Sequence, residues 1–181
     1  INYNVLAGSA AFSPIQKLMK EIFDRTNGDL EERAKLSINF VANISQSQSP
    51  FFVNHPKTIE QIQYYKSREP SYIMHELLNS NWDLFHHVDI DNVFAPLGLQ
   101  YAGSPEMKYN ILEYRVPSEY IQMVKSIGDN RIRETTIEVL TGLKYRIDVF
   151  SRNPEILNDQ DFLNTFLNLS VALIKPINDC R

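Results

Sequence analysis

Cysteine is almost missing: Cys180 is the single one in 181 residues. That excludes an intrachain disulfide framework and fits a reducing compartment, so a cytoplasmic location is the expectation. Glycine is scarce, with 6 residues, all isolated. Neither a G-x-G-x-x-G turn nor a Walker A loop can be drawn through them. No apolar run approaches the ~18 residues that a membrane span needs. Positive charge is not in excess, with 18 Lys and Arg against 22 Asp and Glu. No basic stripe stands out, which counts against nucleic-acid binding driven by phosphate contacts. The opening residues lack the basic and apolar regions of a signal peptide. The strand-like start Ile1-Asn-Tyr-Asn, with no partner before it, is expected to come from a longer protein.

What remains is an ordinary globular composition, 43% apolar and 22% charged, at a length that suits one domain. Ile15, Leu18, Met19, Ile22 and Phe23 form one helical stripe after Ser13-Pro14, with Ser13 expected as the N-cap. Asp29 with Glu32 reads as a capping arrangement for a second helix, ending near Ile44. Thr58 with Gln61 matches a capping box, and a further helix follows Pro70. Asp89 is expected to cap the helix carrying Ile90, Val93 and Phe94, which Pro96 ends early and Gly98 closes. Helices are also expected after Pro117 and over 130–141, and from Asp159 through Phe166. Strands are expected at 99–101, at 145–150 with its alternation of apolar and charged residues, and at 169–175. The fold class is α+β: a mainly helical domain with a small sheet of short strands.

Candidate chemistry is thin. His75-Glu76 starts like the zinc-protease helix motif, but the position four after His75 is Asn79, so one metal cannot take both ligands. A structural or interfacial role is the plainer account. His86-His87 are neighbours whose side chains diverge, which suits solvated or cap-forming histidines better than one metal. Asp89-Ile-Asp91-Asn92 opens like a calcium loop, yet Phe94 and Gln100 stand where Gly and Glu belong. There is no G-x-S-x-G elbow. Tyr64-Tyr65 and Phe51-Phe52 read as core or recognition aromatics. The residues alone assemble no complete active site.

Two stretches resemble a known family. The first, Ile1-Asn-Tyr-Asn-Val-Leu-Ala-Gly-Ser-Ala-Ala-Phe-Ser-Pro-Ile-Gln-Lys-Leu-Met19, resembles a junction in bacterial class I S-adenosylmethionine-dependent methyltransferases. There a late strand of the catalytic sheet ends in a Ser-Tyr-Asn-x-x-Pro-Gly-Trp-like sequence and runs into a helix. Ala7 stands for that Pro, and Ser9 where Trp is frequent. The second is Glu69-Pro-Ser-Tyr-Ile-Met-His-Glu76, followed by Phe94, Gly98-Leu-Gln-Tyr101 and Leu143-Lys-Tyr-Arg-Ile-Asp-Val-Phe-Ser-Arg152. That order is similar to the methyltransferase regulatory domain that follows the catalytic domain in those proteins, rickettsial-type protein lysine methyltransferases included.

The resemblance implies a division at residue 12. Residues 1–12 would be the end of a catalytic-domain strand and its turn, and 13–181 a regulatory or substrate-recognition domain. It implies a catalytic methyltransferase domain in cis as partner, with a protein substrate and a second copy of the chain as further expected partners. S-adenosylmethionine would be the cofactor of the parent enzyme, with no cofactor or metal site and no catalytic residue in this chain. Substrate-side or interface candidates are Tyr3, Asn4, Tyr72, His75, Glu76 and Tyr101. The competing reading from a different class is a free-standing helical interaction module unrelated to methyl transfer. A hydrolase built on His75, Glu76 and Asp89 lacks a nucleophile.

Overall fold

The computed structural model describes residues 1–155 and 157–170. The chain opens with strand β1 (Asn2–Val5), whose side chains alternate so that Tyr3 and Val5 are buried while Asn2 and Asn4 face the other way. A short helix α1 (Leu6–Ser9) and a 3-10 turn lead without a break into α2 (Ser13–Arg25). Ser13 is therefore not the cap that its sequence suggests. It is the first residue of α2, and continuous helical turns precede it. α3 (Leu30–Ile44) begins at the expected capping box: Asp29 accepts from the Glu32 N–H at 2.8 Å, and Glu32 accepts from the Asp29 N–H. Helices α4 (Pro50–Asn54), α5 (Pro56–Lys66) and α6 (Pro70–Leu77) follow, each with proline in its first turn. The Thr58 box does not form, because Pro56 starts α5 two residues earlier and the Thr58 hydroxyl donates to the His55 carbonyl at 2.7 Å.

These helices share one apolar core. Met19, Val41 and Ile62 are fully buried in it, each worth ~1.5–3 kcal/mol over an exposed state. Arg33 of α3 locks the end of α2, donating to the Phe23 carbonyl at 2.7 Å with its guanidinium 4.2 Å from the Phe23 ring centre.

The second half carries the short strands: β2 (Leu84–Phe85), β3 (Gln100–Gly103), β4 (Tyr145–Ile147) and β5 (Val149–Ser151). β1 is the middle of a three-stranded sheet ordered β2-β1-β4, parallel to β2 and antiparallel to β4, with Asn4 opposite Leu84 and Tyr3 opposite Arg146. β3 and β5 form a separate antiparallel pair with Tyr101 opposite Phe150. The expected single strand 145–150 is thus two strands that part at Asp148 and join different sheets. α7 (His87–Phe94) is capped by His86, with Asp89 three residues in and bonding back to the His86 N–H, so Asp89 is the far half of the box and not the cap. Its expected end holds: Pro96 sits in a 3-10 turn, and Gly98 takes the left-handed conformation at φ 71°.

The short helices α8 (Leu112–Arg115) and α9 (Ile121–Lys125) and the longer α10 (Asn130–Thr141) enclose a small core of Val116, Val124 and Ile137. α10 packs on α7, tied by Glu138 to His86 at one end and by Arg131 to Asp91 at the other. α11 (Asp159–Leu167) has Asn158, not Asp159, as its cap, since the Asn158 side chain accepts from the Asp161 N–H at 2.9 Å. The strand expected at 169–175 lies outside the described residues from position 171 on. The architecture is α+β and mainly helical, as the periodicities indicate.

Candidate functional site

Along 145–149 the pattern is inverted with respect to a half-buried strand. Arg146 and Asp148 are buried, while Tyr145, Ile147 and Val149 are partly exposed. A buried charge needs partners, and Arg146 has three. Its Nε donates to both Asp148 oxygens at 3.0 Å, its Nη1 to Glu138 at 3.3 Å and its Nη2 to Glu134 at 3.0 Å. Arg115 of α8 grips Glu134 from the other side with two parallel bonds of 2.9 and 2.5 Å. Tyr3 of β1 donates its phenol to Asp148 Oδ2 at 2.7 Å.

The two histidines complete this cluster from α7. His86 Nδ1 lies 2.9 Å from Glu138 Oε2, and the His87 N–H donates to Glu138 Oε1 at 3.0 Å. His87, fully buried, sets its Nδ1 3.2 Å from Asp148 Oδ2. The expectation of solvated histidines therefore fails for His87, while His86 does form a cap. Each imidazole turns to a different carboxylate, as neighbours on a helix must. Among the described residues no group of His, Cys, Asp and Glu is placed to hold a metal. In this cluster Arg146 already fills the centre between the carboxylates. The ring of Tyr101 closes the cluster, edge-on to His87 at 4.7 Å and 5.5 Å from the Arg146 guanidinium carbon.

Burial pushes the Asp148 carboxyl up, but the hydrogen bond with His87, the charge of Arg146 and the phenol of Tyr3 outweigh it and hold its pKa below the ordinary aspartate value. Burial likewise raises Glu134, and the bonds and charge of Arg115 with the charge of Arg146 bring it below the usual glutamate value. Tyr3 and Tyr101 move the other way, first by burial, so both phenols stay protonated through the ordinary range.

The opposite face of β1 is open. Two adjoining depressions of about 320 and 310 Å³ lie on that face, sharing Asn4, Glu76 and Tyr145 as walls. Trp82 and Tyr65 line the first, and His75 and Asp83 line the second. Of the six candidates from the sequence, Asn4, His75 and Glu76 converge here. Tyr3 reaches this face only with its main chain and puts its phenol into the buried cluster, where Tyr101 also lies. Tyr72 belongs to neither. It stacks on Tyr65 at 6.4 Å and is hydrogen-bonded to Tyr64, a bond that with burial lifts its pKa to about 12.

Sequence reasoning missed Glu134, Glu138, Arg146, Asp148 and Arg115. A signal existed for the first pair: Glu134 and Glu138 are four apart on one helix face, where like charges repel. Such a pair asks for a cation between them, and Arg146 supplies it.

Residues 69–152 match the family described as "Predicted methyltransferase regulatory domain". An uncharacterized protein of Synechocystis sp., sll1526, is 24% identical over 181 residues, which is 100% of this chain and 36% of that protein. The fold is similar to that of PKMT2 from Rickettsia typhi, with a TM-score of 0.65 at 17% identity over 90% of this chain and 31% of that one. PKMT2 from Rickettsia typhi in complex with AdoHcy gives a TM-score of 0.66 at 18% identity, over 88% and 30% of the two chains. The chain thus spans about a third of the length of these relatives. Glu76, Tyr101, Glu134, Glu138, Arg146 and Asp148 all fall inside the segment that matches this methyltransferase regulatory domain.

Proposed function

We propose that this chain is the non-catalytic, substrate-receiving lobe of a bacterial S-adenosylmethionine-dependent methyltransferase, with protein lysine as the acceptor. Residues 1–12 bring the end of a catalytic-domain strand, and 13–181 form the lobe. The observation that carries this reading is the convergence of Asn4, His75 and Glu76 on the open face of β1, beside the residues that lead into β2, where a substrate would meet a catalytic domain joined in cis.

The glycines speak for a cofactor site elsewhere in the parent protein. Gly28, Gly98, Gly103 and Gly142 take positive φ at the ends of elements, and Gly8 is pressed against the Gly142 and Leu143 carbonyls. None of them forms a strand–turn–helix cradle for a nucleotide. Among the described residues no glycine cradle suits S-adenosylmethionine, and no step of the transfer is assigned to them.

Titration calorimetry of the folded chain with S-adenosylmethionine and S-adenosylhomocysteine tests this, with circular dichroism as the check of folding. No heat is expected. Micromolar binding would place a cofactor site in this chain and overturn the division of labour.

A further inference from the structure

The two depressions differ in chemistry although they share a wall. Around the first, Trp82, Tyr65 and Tyr145 line the wall beside the Glu76 carboxylate, with Trp82 and Tyr65 also packed on the helical core. Around the second, Glu76 is joined by Asp83 and by amides such as Asn4 and Asn79. Two exposed carboxylates alone would be an ordinary solvated surface. Set in walled depressions of about 320 and 310 Å³, at the lower end of the ~300–1,000 Å³ of small-ligand sites, they have room for one side-chain-sized group. Among the described residues no hydrogen bond or ion pair engages the carboxylate of Glu76 or of Asp83. Lys144 is the one Lys or Arg on either lining, and it belongs to the first depression without forming an ion pair with Glu76.

A carboxylate in a wall that also holds indole and phenol rings favours an organic cation, because aromatic rings and the anion attract the same ligand charge. The polar amides suit the N–H donors of an ammonium. We propose that the Glu76-centred depressions form a binding site for an alkylammonium group, primary or methylated, with Glu76 as counter-ion, Asp83 as second anion and Trp82 and Tyr145 as ring walls. This deepens the function proposed above by naming the chemistry of the group the lobe receives, and it rests on that reading. The positive charge of Lys144 works against the ligand and tunes the site to be weak, as release after reaction requires.

Trp82 is the only tryptophan of the chain, so its emission reports occupancy of the first depression directly. The test is a fluorescence titration of the chain with the tripeptide acetyl-Gly-Lys-Gly-amide, the same peptide trimethylated on lysine, n-butylamine, and acetyl-Gly-Leu-Gly-amide as neutral control. A saturable change of Trp82 emission is expected with the cations and none with the leucine peptide. Tighter binding of the peptides than of butylamine assigns the ligand to a protein side chain, and equal binding assigns it to a free amine. Glu76→Gln should weaken the response about tenfold, and Lys144→Gln should strengthen it. Both residues are exposed, so neither substitution endangers the fold. No response to any cation up to millimolar concentration, or an unchanged response in Glu76→Gln, overturns the site. The two proposals fail separately: a chain that binds S-adenosylmethionine loses the division of labour, while a chain that ignores ammonium loses only this site.

Discussion

The phenol of Tyr3 meets the Asp148 carboxylate at 2.7 Å across 145 positions of sequence. This bond ties the first strand to the hinge between β4 and β5, and the two sheets therefore share one buried anion. It also fixes the alternation of β1. With Tyr3 held inward, Asn4 must point to the open face where the depressions lie.

Tyr3→Phe isolates that bond, since the ring stays and only the hydroxyl goes. Asp148 keeps Arg146 and His87, so the fold should survive. A bond to a charged group is worth ~1.5–3 kcal/mol, and a loss of that size is expected. Urea unfolding should show a lower midpoint with an unchanged slope. An unchanged midpoint would mean that the bond carries no net stability.

Arg146 is the harder case. Removing it leaves Glu134, Glu138 and Asp148 buried with mutual repulsion, and breaking a buried ion pair from one side costs ~3–5 kcal/mol. Arg146→Met should therefore melt far lower, or not fold. Arg146→Lys should rescue little, because a point charge cannot span three carboxylates as the planar fork does. Thermal melts by circular dichroism check both, and a lysine variant as stable as the parent would refute the fork argument.

The helices were legible because their period and their punctuation agree. Ile15 to Phe23, Asp29 with Glu32, and Pro96 with Gly98 each combine an apolar stripe with a cap or a stop. The cluster was not legible because it breaks the rule that the reading relied on. In 145–149 the alternation is regular, but the charged residues face in, and only tertiary partners from β1, α7, α8 and α10 make that tolerable. His87 is hidden for the same reason: beside His86 it looks like a solvated pair, and its burial depends on an aspartate 61 residues away. On the open face, Asn4, His75 and Glu76, named through family resemblance, lie together. Tyr72 and Tyr101, drawn from the same motifs, lie elsewhere because a motif does not say which way a side chain points.

Acid and base should unfold the protein from opposite ends. Asp148 and Glu134 have pKa values below those of the unfolded chain, so their contribution is full above the ordinary carboxylate values, ~4. It is lost as pH falls through their folded values. Tyr3 and Tyr101 are raised above the unfolded value of ~10, so their contribution is full below that pH and is lost as pH rises past it. A stability plateau between about pH 4 and 10 is expected, and Tyr3→Phe should soften its alkaline edge. Urea midpoints measured across pH would contradict this if stability peaked outside that window.

Gly8 offers a test in which local preference and packing disagree on sign. It lies in α1, where its φ is not positive, and alanine in a helix is favoured over glycine by ~0.8–1.0 kcal/mol. Propensity alone therefore makes Gly8→Ala stabilising. The added methyl, however, would overlap the main-chain carbonyls of Gly142 and Leu143, which cannot step aside as a flexible side chain could. It would push α1 away from the lead into β4 and stretch the bond that the Val5 N–H donates to the Lys144 carbonyl at 2.9 Å. Overpacking of this kind costs ~1–3 kcal/mol, so a net loss of stability is expected. Gly142→Ala is the control: its methyl meets nothing within 4 Å, and only the left-handed φ of 58° opposes it, at ~1–2 kcal/mol. Adding Gly142→Ala to Gly8→Ala should then give additive losses only if α1 has already moved away. A more stable Gly8→Ala protein would mean that α1 does not press on the turn after α10, and that β1 is held by its ladders alone.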